Sequence, residues 1–169
     1  IILNIDFLKQ DFLEDAKSVF GSDYEAFLEA YNEKPYRGIS VNTLKITAER
    51  LKELLPYKLE KTPMYKNGYY IDSEIEGLGN NPLHHAGAFY VQEPSASAPV
   101  SLLDVQEGER ILDLCSAPGG KSSQILALLN NTGLLWSNEY VKSRSQILLS
   151  NLERMGARNF VVSNCSADT

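Results

Sequence analysis

The run Asp113-Leu-Cys-Ser-Ala-Pro-Gly-Gly-Lys-Ser122 has the residue types that hold a charged small molecule by its backbone. Gly119 and Gly120 let the main chain come close to a ligand, and Pro118 stiffens the turn while removing one competing donor. A helix starting straight after them offers unpaired N–H groups to an anion, such as a phosphate or an amino-acid carboxylate. Lys121 near that helix start opposes the helix dipole, a conflict that a ligand or a carboxylate partner relieves. Asp113 either belongs to the site or braces the loop by accepting backbone N–H bonds.

Three ligand classes use such loops. A phosphate-binding P-loop needs Gly-x-x-x-x-Gly-Lys-Ser/Thr; Gly120-Lys-Ser122 supplies the tail, but Cys115 stands where the first glycine belongs. A dinucleotide fingerprint needs Gly-x-Gly-x-x-Gly, and Ser116-Ala-Pro118 lacks its first glycines. S-adenosylmethionine remains, and its ribose hydroxyls want an acid at the end of the second strand. Glu139 stands there, 26 residues beyond Asp113, close to the spacing of about 20 residues for the ribose acid of nucleotide-binding folds.

The elements that must position these residues follow from periodicity. Strand 110–114 leads into helix 121–129, strand 134–137 into helix 142–155, and strand 159–162 follows Gly156. Strands alternating with helices imply βαβ units and a parallel sheet, whose ligands sit beyond the carboxyl ends of the strands. Upstream, residues 6–20 carry Phe7, Leu8, Phe12, Ala16, Val19 and Phe20 near a 3.6 period, which predicts a helix closed by Gly21. Ser22 and Glu25 have capping-box spacing for a second helix through Phe27, Leu28 and Tyr31, and Pro35 ends it or follows its end. Alternation from Arg37, a Thr47-capped helix stopped by Pro56, a strand near 57–59 and an Asn67-Gly68 hairpin between 64–66 and 69–71 predict a small open sheet backed by a helix. Residues 72–100 read as a connector containing His84-His85 and Gln92-Glu-Pro-Ser95.

Composition sets the class. The 169 residues are 43% hydrophobic and 22% charged; no apolar run reaches the roughly 18 residues that span a bilayer, and the first residues do not read as a signal peptide. The chain lacks a starting Met, which suggests that it begins inside a longer protein. Cys115 and Cys165 cannot by themselves build a disulfide framework or a zinc site, so a reducing, cytoplasmic compartment and no metal are expected. Net charge is −6, but its distribution is uneven. Residues 1–34 carry three lysines against eight acids, whereas residues 35–68 carry seven Lys/Arg against three acids. That basic segment, with Tyr36, Tyr57, Tyr65, Tyr69 and Tyr70 in and beside it, is either a solvated face or the footprint of a polyanionic partner.

The loop Asp113–Ser122 resembles the cofactor loop of the Nol/Nop/Sun family of RNA cytosine-C5 methyltransferases. So do Pro82–Ala96, Ser137-Asn-Glu139, Asn151–Gly156 and Arg158-Asn159, and together these cover about residues 82–165. Tyr36–Lys45 resembles the bacterial RsmF-like type, which acts on small-subunit ribosomal RNA.

The resemblance implies an α/β fold: the first part of a Rossmann-like methyltransferase sheet, three of its strands, preceded by a small α+β N-terminal domain. It divides the chain into helices 1–34, an RNA-binding-like subdomain 35–81 and the truncated N-terminal part of the methyltransferase domain, 82–169. It implies S-adenosyl-L-methionine as cofactor, lined by Cys115, Ser116, Ala117, Pro118, Gly119, Gly120 and Lys121, with Glu139 on the ribose. The family's adenine contact aligns with Ser166, while the nearest acid, Asp168, falls two residues later.

RNA is the implied partner, ribosomal first and transfer second. In this family a cysteine thiolate adds to C6 of cytosine so that C5 becomes nucleophilic enough to take the methyl group. The nucleophile and a helper cysteine lie in Pro-Cys-Ser-like and Thr-Cys-Ser-like motifs after the fourth and fifth strands. Neither motif occurs here. The catalytic cysteines are therefore expected beyond Thr169, with residues 1–169 alone inactive and poorly soluble or oligomeric through an exposed sheet edge. Cys115 reads as a loop-lining residue, not as a substitute nucleophile. The alternative from another class is a non-catalytic RNA-binding or ribosome-assembly module that keeps the fold.

Overall fold

Helix-forming residues at a 3.6 period, ended by a glycine with positive φ, build the first element. The computed structural model describes residues 7–167, and the chain divides into two compact units, Ile1–Tyr36 and Arg37–Thr169.

In the first unit, α1 (Gln10–Phe20) ends at Gly21, whose φ of 51° suits a residue without a side chain. The predicted start at Asp6 lies outside the described residues, and the helix begins at Gln10. The capping box does not form. Gly21–Asp23 takes a 3-10 turn, so Asp23 rather than Ser22 precedes α2 (Tyr24–Ala30), and no side chain caps it. Phe20 stacks on Phe27 at 4.2 Å, and Tyr31 meets Phe27 edge-on at 5.2 Å. Of the predicted apolar face only Ala16 is buried; Phe7 and Val19 are about four-fifths exposed, at 82% and 78%.

The second unit holds two sheets. β1 (Arg37–Val41), β2 (Glu60–Lys61), β3 (Gly68–Ile71) and β4 (Phe89–Val91) form an antiparallel sheet in the order β2-β3-β1-β4. Behind it lies α3 (Ala48–Leu54), whose Thr47 cap accepts from the Arg50 N–H as predicted. Leu51, Leu55, Ile39, Val41 and Phe89 make its core.

The hairpin differs from expectation. Its first strand is 60–61, not 64–66, and the connection runs through residues 62–67. Pro63 has no N–H to offer a ladder, and the Thr62 hydroxyl instead accepts from the Met64 N–H. β4, read as connector in the sequence, pairs with β1 through Ile39↔Val91 and Val41↔Phe89. The short helix α4 (Pro82–His85) precedes that strand, and α5 (Ala98–Leu102) follows it.

β5 (Arg110–Asp113), β6 (Leu134–Asn138) and β7 (Phe160–Ser163) form a parallel sheet in that order. α6 (Gly120–Leu129) and α7 (Lys142–Arg154) connect them. Predicted and observed bounds differ by a residue or so, since alternation and the Gly156 cap were both readable. Leu126, Leu129, Leu135, Leu148 and Leu152 are closed in the core between sheet and helices. The register partners Leu112, Trp136 and Val161 make an exposed apolar row across the strands. No helix among the described residues is long and apolar enough to cross a membrane.

A polar seam joins the two sheets. Asn42 is 1% exposed, donates to the Gly87 and Met155 carbonyls at 2.7 Å each, and accepts from the Leu44 N–H. Lys45 Nζ donates to the Ala86 and Arg154 carbonyls at 2.8 and 2.6 Å. Burial, then the Arg154 charge, holds the Lys45 ammonium below its usual pKa.

Candidate cofactor site

The carboxyl ends of the three parallel strands carry the residues that the sequence singled out. β5 runs into Leu114–Gly119, β6 ends one residue before Glu139, and Ser166 lies three residues past β7. Asn138, 4% exposed, ties these ends together. Its Nδ2 donates to the Leu114 and Cys165 carbonyls at 3.3 and 3.0 Å, and its Oδ1 accepts from the Cys165 N–H and the Ser163 hydroxyl. The Ser116 N–H adds a bond to the Asn138 carbonyl at 2.9 Å. An Asn inside a short buried strand is the sequence signal for this role, because strands are depleted in Asn unless its amide has work.

The loop is held mainly by its carbonyls. Arg144 donates to the Ala117 carbonyl at 2.9 Å, and Asn151 Nδ2 to the Pro118 carbonyl at 2.8 Å. Asp113 Oδ2 accepts from the Ser122 hydroxyl at 2.7 Å, which in turn lies 3.2 Å from the Ser137 hydroxyl. Asp113 thus braces the loop through a side chain of α6. Gly119 has a φ of 110°, a region that L residues rarely adopt, and a Cβ there would meet Leu148 Cδ1 at 3.1 Å. Its missing side chain therefore answers the packing of α7. No side chain caps α6, and the N–H groups of its first turn have no intrahelical acceptor. Lys121 and Cys115 are exposed. Lys121 makes no hydrogen bond or ion pair among the described residues.

Glu139 is 5% exposed at the mouth of β6. Its Oε1 accepts the Val141 N–H at 3.0 Å, and its Oε2 lies 3.8 Å from the Arg144 guanidinium. A carboxylate has about four lone-pair positions, so acceptor capacity remains for hydroxyl donors. Asn164 Nδ2 donates to the Glu139 and Tyr140 carbonyls at 2.6 and 2.7 Å and fixes the turn after β7. Ser166 is half-buried there, and Asp168 lies outside the described residues. Arg144, which reaches both the loop and Glu139, was not foreseen. Its signal was the one used for Lys121, a cation in the first turn of a helix, where the dipole disfavours it. Among the described residues no group of three or more His, Cys, Asp or Glu is placed to hold a metal ion.

A parallel sheet with a glycine loop and helix after its first strand and a buried acid after its second is a Rossmann-like arrangement, a fold whose ligands sit beyond the carboxyl ends of the strands. Comparison with known proteins narrows the class. Residues 8–94 match the family described as the N-terminal domain of 16S rRNA methyltransferase RsmF, and residues 100–169 match 16S rRNA methyltransferase RsmB/F. The ribosomal RNA small subunit methyltransferase F of Vibrio vulnificus strain YJ016 is 40% identical over 168 residues, covering 94% of this chain and 35% of that protein. A methyltransferase homolog from Pyrococcus horikoshii is 27% identical, with a TM-score of 0.84 over 95% of this chain and 54% of its own. NSun6 from the same organism, solved with SFG, shares the fold at a TM-score of 0.84 and 19% identity, covering 94% of this chain and 66% of its own. The chain belongs to the RsmF-like family of 16S rRNA methyltransferases, within the Nol/Nop/Sun group. It spans about a third of the length of the curated relatives it matches.

Proposed function

We propose that this chain is the cofactor-binding part of an enzyme that transfers a methyl group from S-adenosylmethionine to C5 of cytosine in small-subunit ribosomal RNA, with the catalytic cysteines supplied from outside residues 1–169. The observation that carries the reading is the convergence of the loop 115–121, Glu139 and Ser166 on one end of the parallel sheet. Family membership and the name of the 40% identical relative support it.

The donor set fits the cofactor. First-turn amides of α6 and the Lys121 ammonium suit the carboxylate of the methionine part, and the Glu139 carboxylate suits two ribose hydroxyls. In this reading Cys115, Ser116, Ala117, Pro118, Gly119 and Gly120 line the methionine and ribose end, and Ser166 faces the adenine. When bound, the cofactor supplies the electrophilic methyl group. The chain's own residues hold and orient it: Arg144 and Asn151 fix the loop carbonyls, while Asn138 fixes the spacing of the strand ends.

We assign RNA to the basic antiparallel unit. Lys58, Lys61 and Lys66 lie around the β2–β3 hairpin, and Lys61 and Lys66 are exposed. Tyr65 and Tyr69 are buried and pack the sheet, so the attraction there comes from lysines rather than from stacking. Lys52 and Lys61 each sit 4.7 Å over the Tyr69 ring, which holds two cations close to one surface.

Two experiments test the reading. Transfer of labelled methyl from S-adenosylmethionine to small-subunit ribosomal RNA by the full-length protein, read as 5-methylcytosine, is expected; labelling of transfer RNA alone overturns the choice of substrate. Changing Lys58, Lys61 and Lys66 together to Glu is expected to weaken RNA binding at least about tenfold and to flatten its salt dependence by about one unit for each phosphate no longer neutralised. Unchanged affinity and slope would remove RNA from this face.

A further inference from the structure

Tyr90 lies on β4, a strand of the antiparallel sheet, yet its hydroxyl donates to the Pro118 carbonyl in the cofactor loop at 3.1 Å. The same ring closes on the loop a second time. A Cβ built on Gly120 would stand 3.3 Å from Tyr90 Cε1 and 3.3 Å from the Gln92 side-chain amide. Any residue larger than glycine there must push against this seat.

Gln92 is itself held. Its Oε1 accepts from the Ser40 hydroxyl of β1 at 3.1 Å, and its Nε2 donates to Gln124 Oε1 of α6 at 3.2 Å. The seat is therefore continuous from the antiparallel sheet to the helix that opens at the loop. Burial raises the Tyr90 phenol above its usual pKa, and the Arg154 guanidinium 5.8 Å from the ring acts against that shift. The phenol keeps its proton at neutral pH and remains a donor.

The Pro118 carbonyl and the Gly119 N–H belong to one planar peptide and point in opposite directions. Fixing the carbonyl toward Tyr90 and Asn151 thus aims the Gly119 N–H away from both of them. We propose that Tyr90 is a positioning residue for the cofactor loop, through which the antiparallel sheet sets the direction of the Gly119 amide that meets the methyl donor. The inference rests on the S-adenosylmethionine reading of the site.

Tyr90→Phe removes the hydroxyl and keeps the ring, so the seat on Gly120 survives. Tyr57→Phe is the control, since the Tyr57 hydroxyl is buried in the same unit without a hydrogen-bond partner. In the purified protein, Tyr90→Phe is expected to weaken S-adenosylmethionine binding about two- to tenfold by calorimetry, the range of one net hydrogen bond. It is also expected to move the Gly119 amide signal in nitrogen–proton correlation spectra before any cofactor is added. Tyr57→Phe changes neither.

Wild-type affinity in Tyr90→Phe, with the Gly119 signal unmoved, overturns the inference and leaves the cofactor reading intact. Absence of S-adenosylmethionine binding by the wild-type protein overturns the cofactor reading, and this inference with it.

Discussion

Two polar assemblies lie within the second unit, and they differ in what they leave over. At the seam, Asn42 closes two carbonyls and one amide on itself, and Lys45 closes two more carbonyls. Its polar groups are consumed by the fold. At the strand ends, the carbonyls of Ala117 and Pro118 are consumed, but the first-turn amides of α6 lack a side-chain cap and Lys121 points at no partner among the described residues. Polar density alone does not mark a binding site in this molecule. What sets the proposed site apart is donor capacity that the chain itself leaves unused.

That contrast can be broken most forcefully at the seam. Asn42→Ala strands the Gly87 and Met155 carbonyls and the Leu44 amide in a buried site. It is expected to lower stability by about 3 kcal/mol in denaturant unfolding. A loss under about 1 kcal/mol would mean that water or rearrangement replaces these bonds, and that the seam is no more closed than the site.

At the site the order of effects is reversed. Glu139→Gln keeps the shape and the acceptor for the Val141 N–H but removes the charge. S-adenosylmethionine binding is expected to weaken about tenfold by calorimetric titration, the scale of a charge-assisted hydrogen bond. Stability is expected to change little, because the Arg144 partner stands 3.8 Å away with a half-exposed side chain. A large loss of stability with unchanged affinity would reassign Glu139 to the fold.

The smallest effect concerns pH at the seam's edge. His84 Nδ1 lies 3.1 Å from the Gly79 carbonyl. Burial, then the Arg154 charge, lowers its pKa, with the Gly79 carbonyl acting the other way and His85 adding to the lowering. A base with a lowered folded pKa leaves the unfolded chain holding more protons, so stability is full above the ordinary value and falls as pH drops through the window below it. Melting temperature is expected to decline as pH falls from about 7 to about 5.5, and His84→Asn is expected to shallow that decline. An identical slope in the variant would place the titration elsewhere.

Much of the parallel sheet was legible in the sequence. β5, β6 and β7 alternate with α6 and α7 in a pattern whose caps and apolar periods agree. The loop and Glu139 could be proposed because they follow directly from strand ends, whereas Ser166 came only from the family resemblance. The parts that were not legible depend on pairings across long sequence distances. β4 is three residues between Gly87 and Pro94, too short for alternation to register, and only pairing with β1 makes it a strand. Tyr90, Asn138 and Arg144 act through side-chain bonds to residues 28, 27 and 27 positions away, and no local pattern announces such bonds. The Ser22–Glu25 box and the Asn67-Gly68 hairpin failed for a different reason. Each had the right local chemistry, but the 3-10 turn at Gly21–Asp23 and the Pro63 loop set the backbone first.

The central claim is that the unused donors at the strand ends are built for S-adenosylmethionine rather than for another nucleotide-like ligand. Calorimetric titration of the protein with S-adenosylmethionine, ATP and NAD tests it most directly. Saturable binding of S-adenosylmethionine, with neither ATP nor NAD competing, is the expected result; tight binding of ATP without binding of S-adenosylmethionine would contradict it.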